Sequence, residues 1–180
     1  MPCRSQMNLY LIGFRGCGKS TIAPLVAAEL AWKSVDTDEQ VELLTGQSIA
    51  EIFAEGGEAK FREWETSVIL GYSQKSDLVV SLGGGAPTIA DNHEAIRTSG
   101  KTVLLTAPAD VLWKRICADP KSKDTRPNLT DLDGFAEVKT LLANRAGVYS
   151  ECADYTIDTD KLSAQQAAEQ IANWFDPVDK

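Results

Sequence analysis

A chain of 180 residues with 18 Lys and Arg against 26 Asp and Glu, a formal net charge of −8, has room for one domain with a sizeable core. Its 43% apolar and 24% charged residues are those of a globular protein, which excludes a fibre or a disordered chain. The acid excess, with no basic stripe to offset it, argues against nucleic acid or an anionic membrane as partner.

Cys3, Cys17, Cys117 and Cys152 show no C-x-x-C spacing and His93 is the sole histidine, so the pattern indicates no zinc site and a reduced, cytoplasmic protein is expected. Residues 1–6 are short and polar, unlike a secretory leader, and no run approaches the ~18 apolar residues of a membrane span.

In chain order, residues 7–12 read as a buried strand. Gly13-Phe14-Arg15-Gly16-Cys17-Gly18-Lys19-Ser20 follows, with Thr21 after it, and matches G-x-x-x-x-G-K-[ST], the phosphate-binding loop of nucleoside triphosphatases. Ile22, Leu25, Val26 and Leu30 then recur at helical spacing and predict a helix over 19–30. That context gives the motif its mechanism. The glycines let backbone N–H groups approach phosphate oxygens, and the helix N-terminus adds unpaired donors. Lys19 is placed to reach the β- and γ-phosphates, and the Ser20 hydroxyl to ligate Mg²⁺. A nucleoside triphosphate is the predicted ligand.

Residues 32–35 read as a second strand ending at Asp36-Thr37-Asp38. Alternation places residues i and i+2 on one side, so both carboxylates are expected in one cleft. One is suited to hold Mg²⁺ through water, the other to accept a hydrogen bond from an attacking hydroxyl. A helix from Glu39 stops at Gly46. Ser48 and Glu51 have the S-x-x-E form of a capping box, predicting a short helix that ends near Gly56-Gly57. A longer helix over 58–73 carries Phe61, Trp64, Val68 and Tyr72 on one stripe. Arg62 and Glu65 stand i, i+3 on it. Their aromatic neighbours suggest a guanidinium held at a partly buried surface, with Glu65 orienting its fork.

Residues 78–82 read as a third strand running into Gly83-Gly84-Gly85, which offers backbone donors without side chains. A helix over 88–97 and a fourth strand over 102–106 come next. Pro108 opens another helix carrying Val111, Leu112, Arg115 and Ile116. Residues 119–133 form a charged loop of a length uncommon unless functional. As a lid over ATP it would bring Arg126 to the transferring phosphate. In the helix expected over 134–150, Phe135, Val138, Leu142, Arg145 and Tyr149 fall in a 3-4-3-4 series. Arg145 therefore lies on the apolar stripe, where an inward cation calls for an anion; an arginine snorkelling at the stripe's edge is the alternative. A strand over 155–158 and a helix capped by Ser163 complete the pattern. Alternating strands and helices mean an α/β fold with a parallel sheet, right-handed crossovers and ligands beyond the strands' carboxyl ends.

Together these residues resemble shikimate kinase, over 7–175. The resemblance rests on G-F-R-G-C-G-K-S-T at 13–21, D-T-D at 36–38, F-R-E-W-E at 61–65, G-G-G at 83–85, R-P-N-L at 126–129 and L-L-A-N-R-A-G-V-Y at 141–149. It implies a single domain over 1–180 with the three-layer P-loop kinase fold: a five-stranded parallel sheet ordered 2-3-1-4-5, a substrate-binding insertion over about 37–73 and a lid over about 119–133. It implies transfer of the γ-phosphoryl group of ATP to the 3-hydroxyl of shikimate, on the route to chorismate and the aromatic amino acids. Gly13, Gly16, Cys17, Gly18, Lys19, Ser20, Thr21, Arg115 and Arg126 would hold ATP, with Arg115 against the adenine. Ser20 and Asp36 would hold Mg²⁺. Asp38, Lys19 and Arg126 would act in catalysis, Asp38 as candidate base. Asp38, Arg62, Gly83, Gly84, Gly85 and Arg145 would bind shikimate, the two guanidinium groups gripping its carboxylate. A cytoplasmic monomer without nucleic-acid or membrane partners is implied.

Asn128 departs from the family's R-P-L-L and is expected to alter lid packing. Ser81-Leu82 is a second variant, expected to touch no assigned role. A gluconate kinase would share the phosphate loop without needing two cleft arginines, and a non-catalytic nucleotide-binding relative would not need Lys19, Asp38 and Arg126.

Overall fold

Five strands, β1 (Asn8–Ile12), β2 (Lys33–Asp36), β3 (Leu78–Ser81), β4 (Gly100–Thr106) and β5 (Tyr155–Asp158), pair in parallel in the order β2-β3-β1-β4-β5 in a computed structural model that describes residues 7–119 and 134–176. The order expected from the resemblance is the order observed. β1 lies at the centre and is buried along its whole length, which is why it reads as a continuous apolar run rather than an alternating one.

The helices are α1 (Lys19–Leu30), α2 (Thr37–Thr45), α3 (Ile49–Ser73), α4 (Ala90–Ser99), α5 (Ala109–Ala118), α6 (Gly134–Cys152) and α7 (Ala164–Phe175), with a 3-10 turn at Ala86–Thr88. One face of the sheet, through Leu9, Leu11, Val79, Val103 and Leu105, packs against Val26 of α1, Leu112 of α5 and Ile171 of α7. The other, through Tyr10, Ile12, Val80 and Leu104, packs against Ile69 of α3, Ile96 of α4 and Tyr149 of α6. Val41, Ile49, Ile52, Phe61 and Val68 form a smaller core inside the α2–α3 insertion. Among the described residues no helix is long and apolar enough to cross a membrane.

Ser48 caps α3 through the expected box, its hydroxyl accepting from the Glu51 backbone while the Glu51 carboxylate accepts from the Ser48 backbone. α3 breaks at Gly57, at φ 67 and ψ −166, so the two expected helices are two arms of one kinked element. Several boundaries differ from expectation, β4 for instance starting at Gly100 rather than at residue 102, and three of the differences have a local cause. α2 starts at Thr37 rather than Glu39, because the Asp36 carboxylate accepts from the Asp38 N–H as an N-cap. Pro108 precedes α5 as its N-cap instead of opening it. The 3-10 turn at 86–88 delays α4 to Ala90. Phe135, expected on the buried stripe of α6, is 37% exposed. The lid expected over 119–133, with Arg126 and Asn128, lies outside the described residues apart from Asp119.

Candidate active site

β1 delivers the chain into the glycine loop at Ile12. At Gly13, φ is 140° and a Cβ would overlap the Leu105 carbonyl oxygen and stand 2.8 Å from Cys17 Sγ, so glycine is required. Gly18 is the left-handed N-cap of α1 and gives no side-chain cap. The Lys19 and Ser20 N–H groups are thus left to an outside acceptor, the arrangement that binds phosphate, while the Thr21 N–H donates to the Gly18 carbonyl at 3.1 Å. Lys19, 9% exposed, donates from Nζ to the carbonyl oxygens of Gly13 at 2.7 Å and Phe14 at 3.1 Å. Buried Cys17 and exposed Ser20 and Thr21 all line the cleft beside this loop.

That cleft, about 620 Å³, runs from Arg115, Thr159, Leu162 and Ala164 past the loop to Asp36, Asp38, Gly83 and Gly84. Arg115 is fixed by the end of β5: Nη1 donates to Thr159 Oγ1 at 3.0 Å and Nη2 to the Thr159 carbonyl at 2.8 Å. Nothing in the sequence marks Thr159, Leu162 or Ala164 as cleft residues, since their approach depends on how the segment after β5 returns to α7.

Asp36 ends β2 and gathers three donors. Its Oδ2 accepts from Ser20 Oγ at 2.7 Å and Ser81 Oγ at 3.0 Å, and its Oδ1 from the Asp38 N–H at 3.0 Å. Two expectations change here. Ser81 does touch an assigned role, because parallel pairing sets Ser81 beside Asp36 across β2 and β3. The two carboxylates do share the cleft, but not by strand alternation: Asp38 belongs to the first turn of α2, which Asp36 caps. Ser20 and Asp36 are hard oxygen donors in contact. Among the described residues no cluster of three or more His, Cys, Asp or Glu forms a protein-only cage. Such a sparse oxygen set suits Mg²⁺, which takes one or two protein ligands and completes its shell with phosphate oxygens and water.

The glycine triplet is the meeting point of the other groups. The Gly83 N–H donates to buried Thr37 Oγ1 at 3.1 Å, and a Cβ on Gly83 would overlap Glu65 Oε1 and lie 3.1 Å from Asp38 Oδ1. A Cβ on Gly85 would overlap Arg62 Nη2. At Gly84 it would stand 3.6 Å from both Arg145 Nη1 and Tyr149 Oη. Arg62 and Arg145 do not themselves line the cleft; they adjoin it through Gly85 and Gly84.

Arg62 is largely buried, with Nη1 on Glu65 Oε2 at 2.6 Å and Nη2 on Glu58 Oε1 at 2.8 Å. Burial acts to lower its pKa, but the attraction of Glu65 and Glu58 outweighs that and raises it, so the guanidinium stays charged. Arg145, half-buried, lies over the Phe14 ring, 5.7 Å from its centroid. Tyr149, expected only as a core residue, donates from its hydroxyl to the Gly84 carbonyl at 2.6 Å. Burial pushes its pKa up to about 12 against the pull of Arg145, so the phenol remains a donor. Its position one turn beyond Arg145 was the available signal.

A family model described as shikimate kinase matches residues 15–176. The shikimate kinase of Rhodopirellula baltica is 40% identical over 164 residues, 91% of this chain and 88% of the relative. That of Caldicellulosiruptor bescii is also 40% identical over 164 residues, covering 91% and 92%. Among solved structures, shikimate kinase from Acinetobacter baumannii in complex with shikimate superposes with a TM-score of 0.87 at 34% identity, covering 94% of this chain and 93% of that one. Shikimate kinase from Aquifex aeolicus gives 0.77 at 34% identity, covering 92% and 94%.

Proposed function

The chain belongs to the shikimate kinase family, and we propose that its cleft sets the 3-hydroxyl of shikimate in line with the γ-phosphoryl group of ATP, the protein being an ATP-dependent kinase of shikimate. The observation that carries the assignment of roles is the convergence of Arg62, Arg145 and Asp38 on Gly83–Gly85 beside the phosphate loop. Two guanidinium forks match a planar carboxylate, which shikimate bears. The glycines leave room for its ring against bare backbone.

The hydroxyl oxygen forms a bond to the γ-phosphorus, the bond from that phosphorus to the bridging oxygen of ADP breaks, and the hydroxyl proton passes to the Asp38 carboxylate. The products are shikimate 3-phosphate and ADP. Phosphoryl transfer asks mainly for alignment and charge neutralisation. Lys19 leaves the Gly13 and Phe14 carbonyls for the β- and γ-phosphate oxygens, and the open N–H groups of α1 hold the rest. Ser20 and Asp36, in contact at 2.7 Å, would hold Mg²⁺. When bound, that ion supplies charge neutralisation on the phosphate oxygens. Through the resemblance, Arg115 takes the adenine and Arg126 is the lid arginine. The resemblance implies a monomer, and all these groups come from one chain. Cys17, Cys117 and Cys152 are free thiols, in keeping with a cytoplasmic protein.

An ADP-release assay over shikimate, quinate and gluconate tests the substrate: turnover should be confined to shikimate, and faster release with gluconate would overturn the reading. Asp38→Asn should lower kcat by about 10²–10⁴ with ATP affinity near that of the parent; an unchanged kcat would remove Asp38 from proton transfer.

A further inference from the structure

Arg145 and Tyr149 stand i, i+4 on α6 and meet the same glycine. A tyrosine that served only the core would need its ring alone. This one is 3% exposed and packs in the cluster of Tyr10, Ile12 and Leu104. Yet its hydroxyl is spent at 2.6 Å on the Gly84 carbonyl, the middle of the segment where substrate is to lie. The phenol oxygen also interacts with the Arg145 guanidinium. Donor to the triplet and neighbour of the fork, the phenol is a strut between them.

We propose that Tyr149 is a positioning residue for substrate selection: its hydroxyl ties Gly84 to the Arg145 side of the site and so fixes the spacing between the bare backbone under the ring and the fork that takes the carboxylate. A one-ångström error in such a spacing is enough to weaken an oriented contact severely. Without the hydroxyl, the Gly84 carbonyl loses its buried donor and Arg145 loses a polar neighbour, while the ring still fills the core. The inference rests on the shikimate kinase reading of the same site and deepens it.

Tyr149→Phe isolates the hydroxyl. In the full chain, the KM for shikimate should rise roughly tenfold, while kcat and the KM for ATP change by less than about twofold. The preference for shikimate over its carboxamide, measured as a ratio of kcat/KM values, should fall, because only the acid needs the fork correctly placed. An unchanged shikimate KM, an unchanged acid-to-amide ratio, or an equal loss toward both substrates would overturn the proposal; the last would mark a merely structural role. A parent chain inactive on shikimate would overturn the functional reading and this inference with it. Should the variant fold poorly, 3-fluorotyrosine placed at position 149 of the parent gives an independent readout. Its fluorine resonance should move on adding shikimate and stay in place on adding ATP alone; no movement with shikimate would overturn the proposal.

Discussion

Arg145 was legible because a cation on an apolar helical stripe is expensive to bury without a purpose. The fold supplies that purpose at Gly84 and Phe14. Arg145→Ala should weaken shikimate binding by roughly ten- to a hundredfold, since a hydrogen-bonded charge contact is lost. ATP affinity should hold, as titration calorimetry with each ligand separately would register. Ser81 was illegible for the opposite reason. A serine before a glycine run looks like an ordinary strand end, and only the Asp36–Ser81 register brings its hydroxyl to the carboxylate. Groups that orient a metal-holding carboxylate matter nearly as much as the ligand itself. With Asp36 holding Mg²⁺ as proposed, Ser81→Ala should raise the Mg²⁺ concentration for half-maximal rate by roughly tenfold, with shikimate affinity unaltered in a metal titration.

At the scale of elements, local chemistry wrote most boundaries into the sequence. The S-x-x-E box starts α3, and Gly57 bends it where expected. The start of α2 was missed because Asp36 plays two parts, ending β2 and capping the helix, and a strand reading of 36–38 hid the second. Ser48→Ala should cost about 1 kcal/mol in chemical denaturation, the usual worth of such a cap. The box also makes α3 pH-sensitive. The Ser48 hydroxyl, and after it the Ser48 backbone N–H, hold the Glu51 carboxyl below its ordinary range. A depressed acid adds stability that is complete above its unfolded pKa and lost as pH falls through the folded one. Melting temperature measured down an acid series should thus fall less steeply in Glu51→Ala than in the parent.

For the molecule as a whole, alternating strands and helices were enough to give the parallel sheet, whereas the strand order came through family resemblance rather than from periodicity. What neither supplied is which distant segments share a wall. Thr159 and Leu162 reach the cleft because β5 pairs with β4 and the chain then returns over α1. That return is tight. Ala167 and Ala168 of α7 are fully buried in the core that α1 shares. Ala168→Leu should overpack this layer and destabilise the fold by about 1–3 kcal/mol, read as a lower denaturant midpoint with an unchanged m-value.

The three glycines at the end of β3 are not equivalent, although they look so on paper. Outer positions 83 and 85 press against a carboxylate and a guanidinium, whereas the middle one meets neighbours only at ordinary van der Waals range. Any methyl at either flank must evict a charged partner, while alanine at the centre finds space. The motif is therefore two locks around a middle that the protein's own atoms leave open, so the ring meant to lie there, and not a neighbouring side chain, is what would keep that position bare.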